Sequence, residues 1–279
     1  MSVRIRPMTA ADVDGATAAL VRGDWGDRRA WWRFVVDHPA CSPIVAVEGD
    51  AIVGTGVGTV HGTVGWVGTI YVVPERRRQG LGMELSRAVC DQLETAGCRT
   101  LALAATPEGA HVYERLGFGT VSWYRMLGRD GVARGAGARH PEVRPVRADD
   151  LPAIAALDAE VTGEDRSATL EVCLGTPGGL VLEDAVGALR GFLLRARWHG
   201  AALIAPVPDD ALALLDARLL DAGPGHPVRA GLLEENETGR RRLLERGWEE
   251  HRRVARMHRG APLSWRPKAI WGQLGFALG

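Results

Sequence analysis

The sequence predicts an α/β protein built from two similar domains in tandem. Segments rich in β-branched residues alternate with amphipathic helical segments, as in a sheet covered by helices. In the first half, a strand leads through a glycine-containing turn directly into a helix. A weak but ordered self-similarity indicates that the second half repeats the first. With 279 residues, 46% of them hydrophobic, the chain can bury two cores.

Hydrophobic periodicity and turn residues predict the elements of the first half. A strand over 3–6 precedes a helix that has Thr9 as its N-cap. A long amphipathic helix starts at Leu81 and ends at Gly97, a natural C-terminal cap. The other predicted elements are helices over 28–38 and 110–116 and strands over 43–48, 51–60, 63–68, 68–73, 100–104 and 121–127.

The two halves of the chain are alike at both ends. Residues 5–13, IRPMTAADV, match residues 143–151, VRPVRADDL, and LGF at 116–118 is echoed by RGW at 246–248. A recurring strand-to-helix cap would explain the first match alone, but agreement in order at both ends favours duplication. A small, flexible and polar stretch separates the halves. The predicted division is a domain over 1–130, a linker over 131–141 and a second domain over 142–279.

Charge balance and cysteine spacing narrow the class of protein. The 34 basic residues equal the 34 acidic ones in number, whereas a nucleic-acid or membrane-surface binder would show a basic excess. No apolar run has the length of a membrane span, and no secretory signal is evident. The cysteines Cys41, Cys90, Cys98 and Cys173 show no C-x-x-C spacing. We therefore expect a cytoplasmic protein with reduced thiols and without a metal, and a catalytic cysteine stays open.

The segment from Gly68 to Gly82, GTIYVVPERRRQGLG, contains the candidate ligand-binding motif. It consists of a predicted strand, a loop with three arginines and the N-terminus of a helix. Glycines let a backbone approach a ligand closely, and the unpaired N–H groups at a helix N-terminus attract an anion. The segment therefore predicts a pyrophosphate cradle. It lacks the lysine of a P-loop and the third glycine of a dinucleotide-binding fingerprint, and the alternative is an arginine-rich surface turn.

These residues resemble the acetyl-CoA motif of the GNAT N-acetyltransferases, R/Q-x-x-G-x-G/A, which RRQGLG at 77–82 matches. Downstream, LAATP at 103–107 and VYERLGF at 112–118 are similar to the family's A-T-P and Y-E-K-L-G-F segments. VTGEDRS at 161–167 and the segment over 270–279 resemble a bacterial subgroup with a degenerate second domain. The resemblance implies two tandem GNAT-like domains, each a mostly antiparallel central sheet with helices on both faces.

The resemblance also implies acetyl-CoA as the co-substrate. Backbone N–H groups of the loop and of the first helical turn would bind the pyrophosphate, and the preceding strand would pair with the pantetheine arm. That pairing requires the strand to splay from its neighbour, and one N–H near Ile70 to Val72 would polarise the acetyl carbonyl. The implied acetyl-CoA-binding residues are Ile70, Tyr71, Val72, Val73, Arg77, Arg78, Gln79, Gly80, Leu81, Gly82 and Met83.

Tyr113 occupies the position of the tyrosine that protonates the leaving thiolate in this superfamily, so the resemblance implies a general acid. The alternative is a core aromatic residue that stacks on Phe118. The general base is open, because residues 66–73 contain no carboxylate. A chain of waters, an amine that is already partly neutral, or a group from elsewhere such as Asp24 or His61 would serve.

The second half lacks the cofactor loop. After a predicted strand over 202–205 the chain continues as PVPDDA at 206–211, in which prolines remove N–H donors and aspartates repel phosphate. We expect this half to bind no CoA but to form a wall of the acceptor site, with the apolar residues 265–279 packed onto the body or an interdomain groove. The substrate candidates are Asp24, His61, Glu160, Glu164 and Asp165. Glu234, Glu235 and Glu237 would also attract a cationic amine, and the alternative is that most of these charges are solvated.

The expected reaction is direct attack of a primary amine of a small molecule on the thioester carbon, in a ternary complex without an acyl-enzyme. A basic antibiotic, such as an aminoglycoside or a capreomycin-type peptide, is one candidate acceptor. The alternatives are acetylation of a protein or peptide amine and a CoA-binding sensor without turnover. We expect a monomer or a homodimer.

Overall fold

The computed structural model describes residues 3–133, 135, 137–198 and 200–279. Arg134 and Ala136 of the predicted linker lie outside the described residues. The chain forms two compact units, and neither is contiguous in sequence. Unit 1 comprises Met1–Thr120, Met257–Pro262 and Phe276–Gly279, and unit 2 comprises Val121–Arg256 and Leu263–Gly275. This division differs from the predicted split at 131–141, because residues 121–130 belong to unit 2 and two short C-terminal segments pack within unit 1.

Among the described residues, unit 1 contains five strands and four α-helices from the N-terminal part of the chain. Its strands are β1 (Arg4–Pro7), β2 (Cys41–Glu48), β3 (Ala51–His61), β4 (Val64–Val72) and β5 (Thr100–Ala105). Its helices are α1 (Val13–Arg22), α2 (Arg29–Asp37), α3 (Leu81–Thr95) and α4 (Pro107–Glu114). Neighbouring strands pair in sequence order and are antiparallel, except that β4 and β5 are parallel. The long crossover through α3 permits this parallel pair.

Helices cover both faces of this sheet, as the resemblance implies. A Cβ on Gly58 of β3 would lie 3.2 Å from Leu93 of α3, so α3 packs closely on one face. Tyr71 of β4 points to the other face, where its hydroxyl donates to the carbonyl of Ala19 in α1 at 2.9 Å. α2 packs against α1 and β2. We call these the α3 face and the α1 face.

Most predicted elements of unit 1 appear within a few residues of their predicted bounds. α3 buries Leu81, Leu85, Val89 and Leu93, as its periodicity predicts. α4 begins at Pro107 rather than at 110, because the Thr106 side chain caps the helix by accepting the N–H of Gly109 at 3.3 Å, with proline following at the first helical position. The two predicted strand segments over 63–73 form the single strand β4.

The described part of unit 2 contains a second sheet and four further α-helices. The remaining strands are β6 (Gly119–Asp130), β7 (Val143–Pro145), β8 (Leu180–Glu183), β9 (Leu189–Arg195), β10 (Ala201–Ile204), β11 (Pro227–Leu233), β12 (Glu249–Gly260) and β13 (Ile270–Gly272). The helices are α5 (Leu151–Thr162), α6 (Ser167–Leu174), α7 (Pro208–Ala222) and α8 (Glu237–Glu245). One antiparallel sheet has the order β13-β10-β9-β8-β7, and β6 lies between β12 and β11. Residues 119–120 of β6 and 257–260 of β12 belong to unit 1.

The same ion pair stands at the start of each sequence repeat. Arg6 binds Asp12 through hydrogen bonds of 2.8 and 2.7 Å, and Arg144 binds Asp150 through two of 2.8 Å. Each aspartate also accepts the backbone N–H of the residue three positions earlier, at 2.8 and 2.7 Å. The hydrogen bond from Arg6 holds the pKa of Asp12 at about 2. The repeated R-P-x-x-A-x-D pattern therefore builds the same strand-to-helix corner twice.

Candidate functional site

The loop between β4 and α3 turns the backbone through two left-handed residues. Pro74–Arg76 form a single 3-10 turn, after which Arg78 has φ +60° and Gly80 has φ +91°. α3 starts immediately after Gly80, so the N–H groups of its first turn face this loop. The Met83 N–H donates to the Gly80 carbonyl at 2.9 Å, which commits this amide to the helix. The amides of 79–82 then become the better candidates for an anion.

The three arginines of the loop have different surroundings. Arg76 binds Glu48 of β2 at 2.6 Å, so it anchors the turn to the sheet and is not a mobile charge beside the loop. The Nε of Arg77 donates to the Val72 carbonyl at 3.1 Å, and its guanidinium lies 5.9 Å from the Tyr71 ring centroid. Arg78 is exposed. Arg77 and Arg78 therefore provide the positive charge beside the helix N-terminus.

β4 carries a bulge three residues before its end. Gly68 pairs with Val57 and Tyr71 pairs with Thr55, so two residues of β4 face one residue of β3. Thr69, one of these two, has φ +51°, which is rare for a β-branched residue. The Thr55 hydroxyl donates to the Thr69 carbonyl at 2.9 Å and holds the bulge in place. No pattern in the sequence indicates this bulge, although it lies within the predicted oxyanion region.

Beyond the bulge, the backbone edge of β4 that faces away from β3 can pair with a ligand. The register of β4 with β5 runs over Val64–Trp66 and Thr100–Ala102, before the bulge. The Val73 N–H donates to the Val53 carbonyl of β3 at 3.0 Å, so this amide is committed to the sheet. Because N–H and C=O groups of alternate residues point to opposite edges, those of Val72 point away from β3. Val72 is thus better placed than Val73 to pair with an extended ligand.

Two of the predicted cofactor residues, Ile70 and Tyr71, have side chains with structural contacts. Tyr71 is 2% exposed, and its ring meets the Trp25 ring edge-on at 5.3 Å between centroids. The half-buried Ile70 lies on the α3 face, where a Cβ on Gly56 would lie 3.1 Å from its Cδ1. These side chains fix the position of the strand. A ligand would meet the backbone at these positions.

Tyr113 lies in α4 with a half-buried side chain. Its ring meets the Phe118 ring edge-on at 6.0 Å between centroids, which matches the alternative role as a packing residue. Burial raises the pKa of Tyr113 to about 12, and a hydrogen bond with Ser86 opposes part of the rise. The Ser86 hydroxyl donates to the Gly82 carbonyl at 2.8 Å. Tyr113 is therefore a neutral phenol connected through Ser86 to the first turn of α3.

Asp24 lies in the turn that ends α1. The Asp24 N–H donates to the Val21 carbonyl at 3.2 Å, and the Trp25 N–H donates to the Leu20 carbonyl at 3.1 Å, which together form a Schellman motif. Asp24 occupies the left-handed position of this motif with φ +61°. Its exposed carboxylate directly precedes Trp25, whose ring contacts Tyr71. Asp24 is thus near the end of β4, whereas the sequence offered no spatial reason for choosing it.

His61 lies at the end of β3, too far from the bulge to act there. It pairs with Val64 across the hairpin turn and is 1% exposed. Val64 and Ile70 are separated by roughly 20 Å at about 3.3 Å per strand residue. We therefore remove His61 from the candidate bases and substrate residues.

The acidic residues predicted to attract a cationic amine have partners within unit 2. Glu160 binds Arg266 at 2.8 Å, and Asp165 accepts hydrogen bonds from the N–H and hydroxyl of Ser167. The other contacts are Glu234 with Arg253 and Arg125, Glu235 with Ser122, and Glu237 with Arg240. These arginines offset the negative charge that the sequence alone indicated. The solvated-charge alternative fits them better than an amine-binding role.

Glu164 is a buried structural residue. It is 2% exposed and accepts a hydrogen bond of 3.2 Å from Arg256, whose other terminal nitrogen donates to the Tyr124 hydroxyl at 2.7 Å. Arg166 binds Asp158 nearby through hydrogen bonds of 2.9 and 2.6 Å. Since a buried carboxylate with an arginine partner cannot attract a solvent-borne amine, Glu164 leaves the substrate set. The sequence pattern TGEDR carried no indication of burial.

Burial makes the cysteine thiols poor nucleophiles. It raises the pKa of Cys41 and Cys90 to about 11 and that of Cys173 to about 12, and it also raises the pKa of Cys98. The thiolate is the reactive form, so these groups are protonated near neutral pH. Within the described part of the chain, no cluster of histidine, cysteine, aspartate and glutamate could hold a metal ion. The described helices include none with the length and apolar character needed to cross a membrane.

The corresponding loop of unit 2 is replaced by an acidic helix start. α7 begins with Pro208 and has Asp209 and Asp210 in its first turn. Asp209 binds Arg242 at 2.5 Å, and Asp210 binds Arg190 at 2.5 Å. These contacts fill the helix N-terminus with the protein's own carboxylates. They support the expectation that this copy does not bind a pyrophosphate.

Two family models match the chain. The Acetyltransferase (GNAT) family model matches residues 15–118, and the Acetyltransferase (GNAT) domain model matches residues 154–272. The uncharacterized N-acetyltransferase YitH of Bacillus subtilis (strain 168) is 26% identical over 209 residues, which cover 73% of this chain and 72% of YitH. Each family model places an acetyltransferase domain over one repeat.

Solved structures share the fold over nearly the whole chain. A putative acetyltransferase from Pyrococcus horikoshii has a TM-score of 0.84 at 20% identity and covers 99% of this chain and 96% of its own. A tandem GNAT protein from the clavulanic acid biosynthesis pathway has a TM-score of 0.59 at 16% identity, with coverage of 94% and 100%. At these identities, the likeness shows the fold alone.

Proposed function

This chain belongs to the acetyltransferase (GNAT) family as a tandem of two GNAT domains, and we propose that unit 1 acetylates a primary amine of a small molecule. It is an acyltransferase, and GNAT enzymes use acetyl-CoA. One observation carries the proposal. Residues 68–82 form, in this order, a bulge in β4, a strand edge that faces away from β3, a loop with arginines and two left-handed residues, and the N-terminus of α3.

The loop fits a diphosphate because its glycines are not needed for the protein's own packing. A Cβ on Gly82 would meet only the Val72 Cγ2, at an ordinary 3.8 Å. Close approach of a ligand to the backbone explains a glycine at such an open position. Amides of 79–82, with Arg77 and Arg78, would bind the diphosphate at the positive end of α3. Bound acetyl-CoA supplies the activated acetyl thioester.

Residues of β4 and α4 would then act on the thioester. Val72 would hold the pantetheine arm through its outward N–H and C=O groups, with Arg77 releasing the Val72 carbonyl. An amide at the bulge, at Ile70 or Val72, would donate to the carbonyl oxygen as negative charge develops there. As the amine attacks and the carbon–sulfur bond breaks, Tyr113 would donate its proton to the sulfur and later regain one from water. The amine would lose its proton to water.

The proposed acceptor is a single primary amine rather than a polycationic antibiotic. A cluster of carboxylates without cationic partners would favour recognition of several positive charges, whereas most of the acidic substrate candidates among the described residues bind arginine. Asp24 is exposed near Trp25 and is the carboxylate that we propose for attracting the amine. An amine on a protein or peptide is the alternative outcome of the experiment below.

Replacement of Tyr113 by phenylalanine tests the proposed chemistry. We expect Tyr113→Phe to lower kcat by about 100-fold or more while acetyl-CoA affinity stays within about twofold, because general acid catalysis typically contributes about 10²–10⁴-fold. Thiol release over a panel of amines measures kcat, and calorimetry measures affinity. Since the pKa of Tyr113 is raised to about 12, its proton is retained at alkaline pH. The wild-type kcat should therefore show no decrease from loss of this proton between about pH 8 and 10.

Phe118→Leu is the matched control, because it disturbs the packing of the Tyr113 ring and retains the hydroxyl. Its kcat should change far less than that of Tyr113→Phe. Equal kcat in Tyr113→Phe and wild type would exclude the acid role. No calorimetric signal with coenzyme A would exclude the proposed function as a whole. Turnover confined to peptides would replace the small-molecule acceptor by a peptide amine.

A further inference from the structure

The segment Phe276–Gly279, which we call the tail, packs inside unit 1 although it stands at the far end of the sequence. Ala277 is 8% exposed and Leu278 is fully buried. Ala277 touches Gly68 of β4 so closely that a Cβ on Gly68 would lie 2.5 Å from the Ala277 Cα. Gly279 packs on the Trp66 ring, with 2.8 Å between its virtual Cβ and the Trp66 Cε2. The tail therefore lies against β4 over 66–68.

The tail occupies the α1 face of the sheet. Residues paired across antiparallel strands point to the same face, and Gly68 pairs with Val57, whose neighbour Gly58 points to the α3 face. Gly68 and Trp66 therefore point to the α1 face, as Tyr71 does on the other side of the bulge. Because the bulge contains one extra residue, Gly68 and Tyr71 point to the same face although they are three positions apart.

Along β4, the tail and the cofactor loop lie on opposite sides of the bulge, where the acetyl group would be transferred. Along β4 the order is the tail contact at Gly68, the bulge at Thr69 and Ile70, the outward edge at Val72 and then the arginine loop. The register with β5 ends at Trp66, next to the tail. If acetyl-CoA occupies the loop and the Val72 edge, the α1 face at the bulge is left for the acceptor, with Tyr71 and Asp24 on one side of it and Gly68 on the other. An acceptor there meets the tail.

We propose that the tail forms the acceptor-side wall of the transfer site and restricts the acceptor to amines carried on a slim, apolar arm. This inference rests on the proposed function. The tail side chains are those of Phe276, Ala277 and Leu278, which carry no ionisable group. The close contact of Ala277 with Gly68 leaves no room there for a branched substituent.

Two substitutions of Ala277 test the wall in the full-length protein. Ala277→Leu adds bulk beside the bulge and should raise the amine KM by about 10-fold or more, because one or more methylenes in such a pocket change specificity by about 10–200-fold. Ala277→Gly removes one methyl and should reduce the preference for butylamine over tert-butylamine in kcat/KM. Neither change should alter acetyl-CoA affinity more than about twofold, since the cofactor residues lie beyond the bulge.

Leu274→Ala is the matched control. Leu274 is fully buried and packs in unit 2, where its carbonyl accepts the Trp198 Nε1 hydrogen bond at 2.7 Å. It should lower stability without changing amine preference. If a folded Ala277→Gly protein has unchanged amine preference and an unchanged amine KM, the tail is not the acceptor-side wall, even if turnover is normal. Failure of wild type to bind acetyl-CoA or acetylate any amine would overturn the proposed function and, with it, this inference.

Discussion

Gly80 and Gly97 flank the two ends of α3 in nearly the same backbone conformation, with φ +91° and +90°. A Cβ on Gly97 would meet nothing within 4 Å, and one on Gly80 would meet only Glu84 Oε1 at 3.9 Å. Alanine at either position therefore introduces the same left-handed strain with little steric conflict. The two substitutions differ in which helix end they alter, and only the Gly80 end is proposed to bind phosphate.

We expect Gly80→Ala and Gly97→Ala to destabilise the protein by a similar amount, about 1–2 kcal/mol each. Only Gly80→Ala should weaken coenzyme A binding, by roughly 10- to 100-fold, because hydrogen bonds to a charged group contribute about 1.5–3 kcal/mol. Urea unfolding and calorimetry measure the two effects. Equal loss of affinity in both variants would show that general destabilisation, rather than the loop, is responsible.

The sequence proposes site residues only where a local motif contains them. RRQGLG at 77–82 and Tyr113 stand in continuous segments, so the sequence alone makes them candidates. Ser86 was missed, although it lies one helical turn after Gly82 and links that turn to Tyr113. Periodicity places Ser86 on α3 but cannot show what packs opposite it.

At the scale of elements, the bulge in β4 depends on one buried hydroxyl of β3. Thr55 is fully buried, and its hydroxyl donates to the carbonyl of Thr69. We expect Thr55→Val to lower kcat by roughly 3- to 10-fold, since such a hydrogen bond contributes about 0.5–1.5 kcal/mol and would hold the bulge amide at the acetyl group. Acetyl-CoA affinity should change much less, as stopped-flow or calorimetric titration would show.

Thr55→Ser is the conservative control because it retains the hydroxyl. Recovery of kcat in Thr55→Ser would support a positioning role for the hydrogen bond. A parallel loss of kcat in both variants would assign the effect to packing of the methyl group instead.

The turn between α5 and α6 depends on buried ion pairs. Arg256 is 2% exposed, binds Glu164 and stacks on Trp265 at 4.2 Å from the ring centroid. We expect Arg256→Met to lower the free energy of unfolding by about 3–5 kcal/mol, because Glu164 would stay buried after losing this arginine. The double variant Arg256→Met/Glu164→Gln should recover part of this loss. Urea denaturation of the single and double variants measures both effects.

Arg266→Met breaks the exposed pair with Glu160 and serves as the comparison. It should cost less than about 1 kcal/mol, as surface pairs do. Similar losses for Arg256→Met and Arg266→Met would mean that the Glu164 pair is solvated in solution.

At the scale of the whole molecule, we expect the two GNAT domains to differ in coenzyme A binding, because the helices α3 and α7 start differently. α3 starts after a pair of arginines and a glycine, whereas α7 starts with Pro208 and two aspartates that bind arginines of unit 2. We expect one coenzyme A per chain in calorimetry of the full-length protein. A second equivalent would contradict the degenerate character of unit 2. Gly82→Ala should reduce binding at this single site, because the added methyl would fill space that we assign to the ligand.

The element order of the first half and the tandem repeat could be predicted from the amino-acid sequence, which also proposes the cofactor loop. These features depend on local periodicity, on residues that end helices, such as Gly97, and on a contiguous motif, all of which can be read along the chain. The three-dimensional structure was needed to show that His61 lies far from the bulge, that Glu164 is buried with Arg256, and that the tail lies against Gly68. Register, ion pairing and long-range packing bring together residues far apart in sequence, and no local pattern encodes which partners they meet.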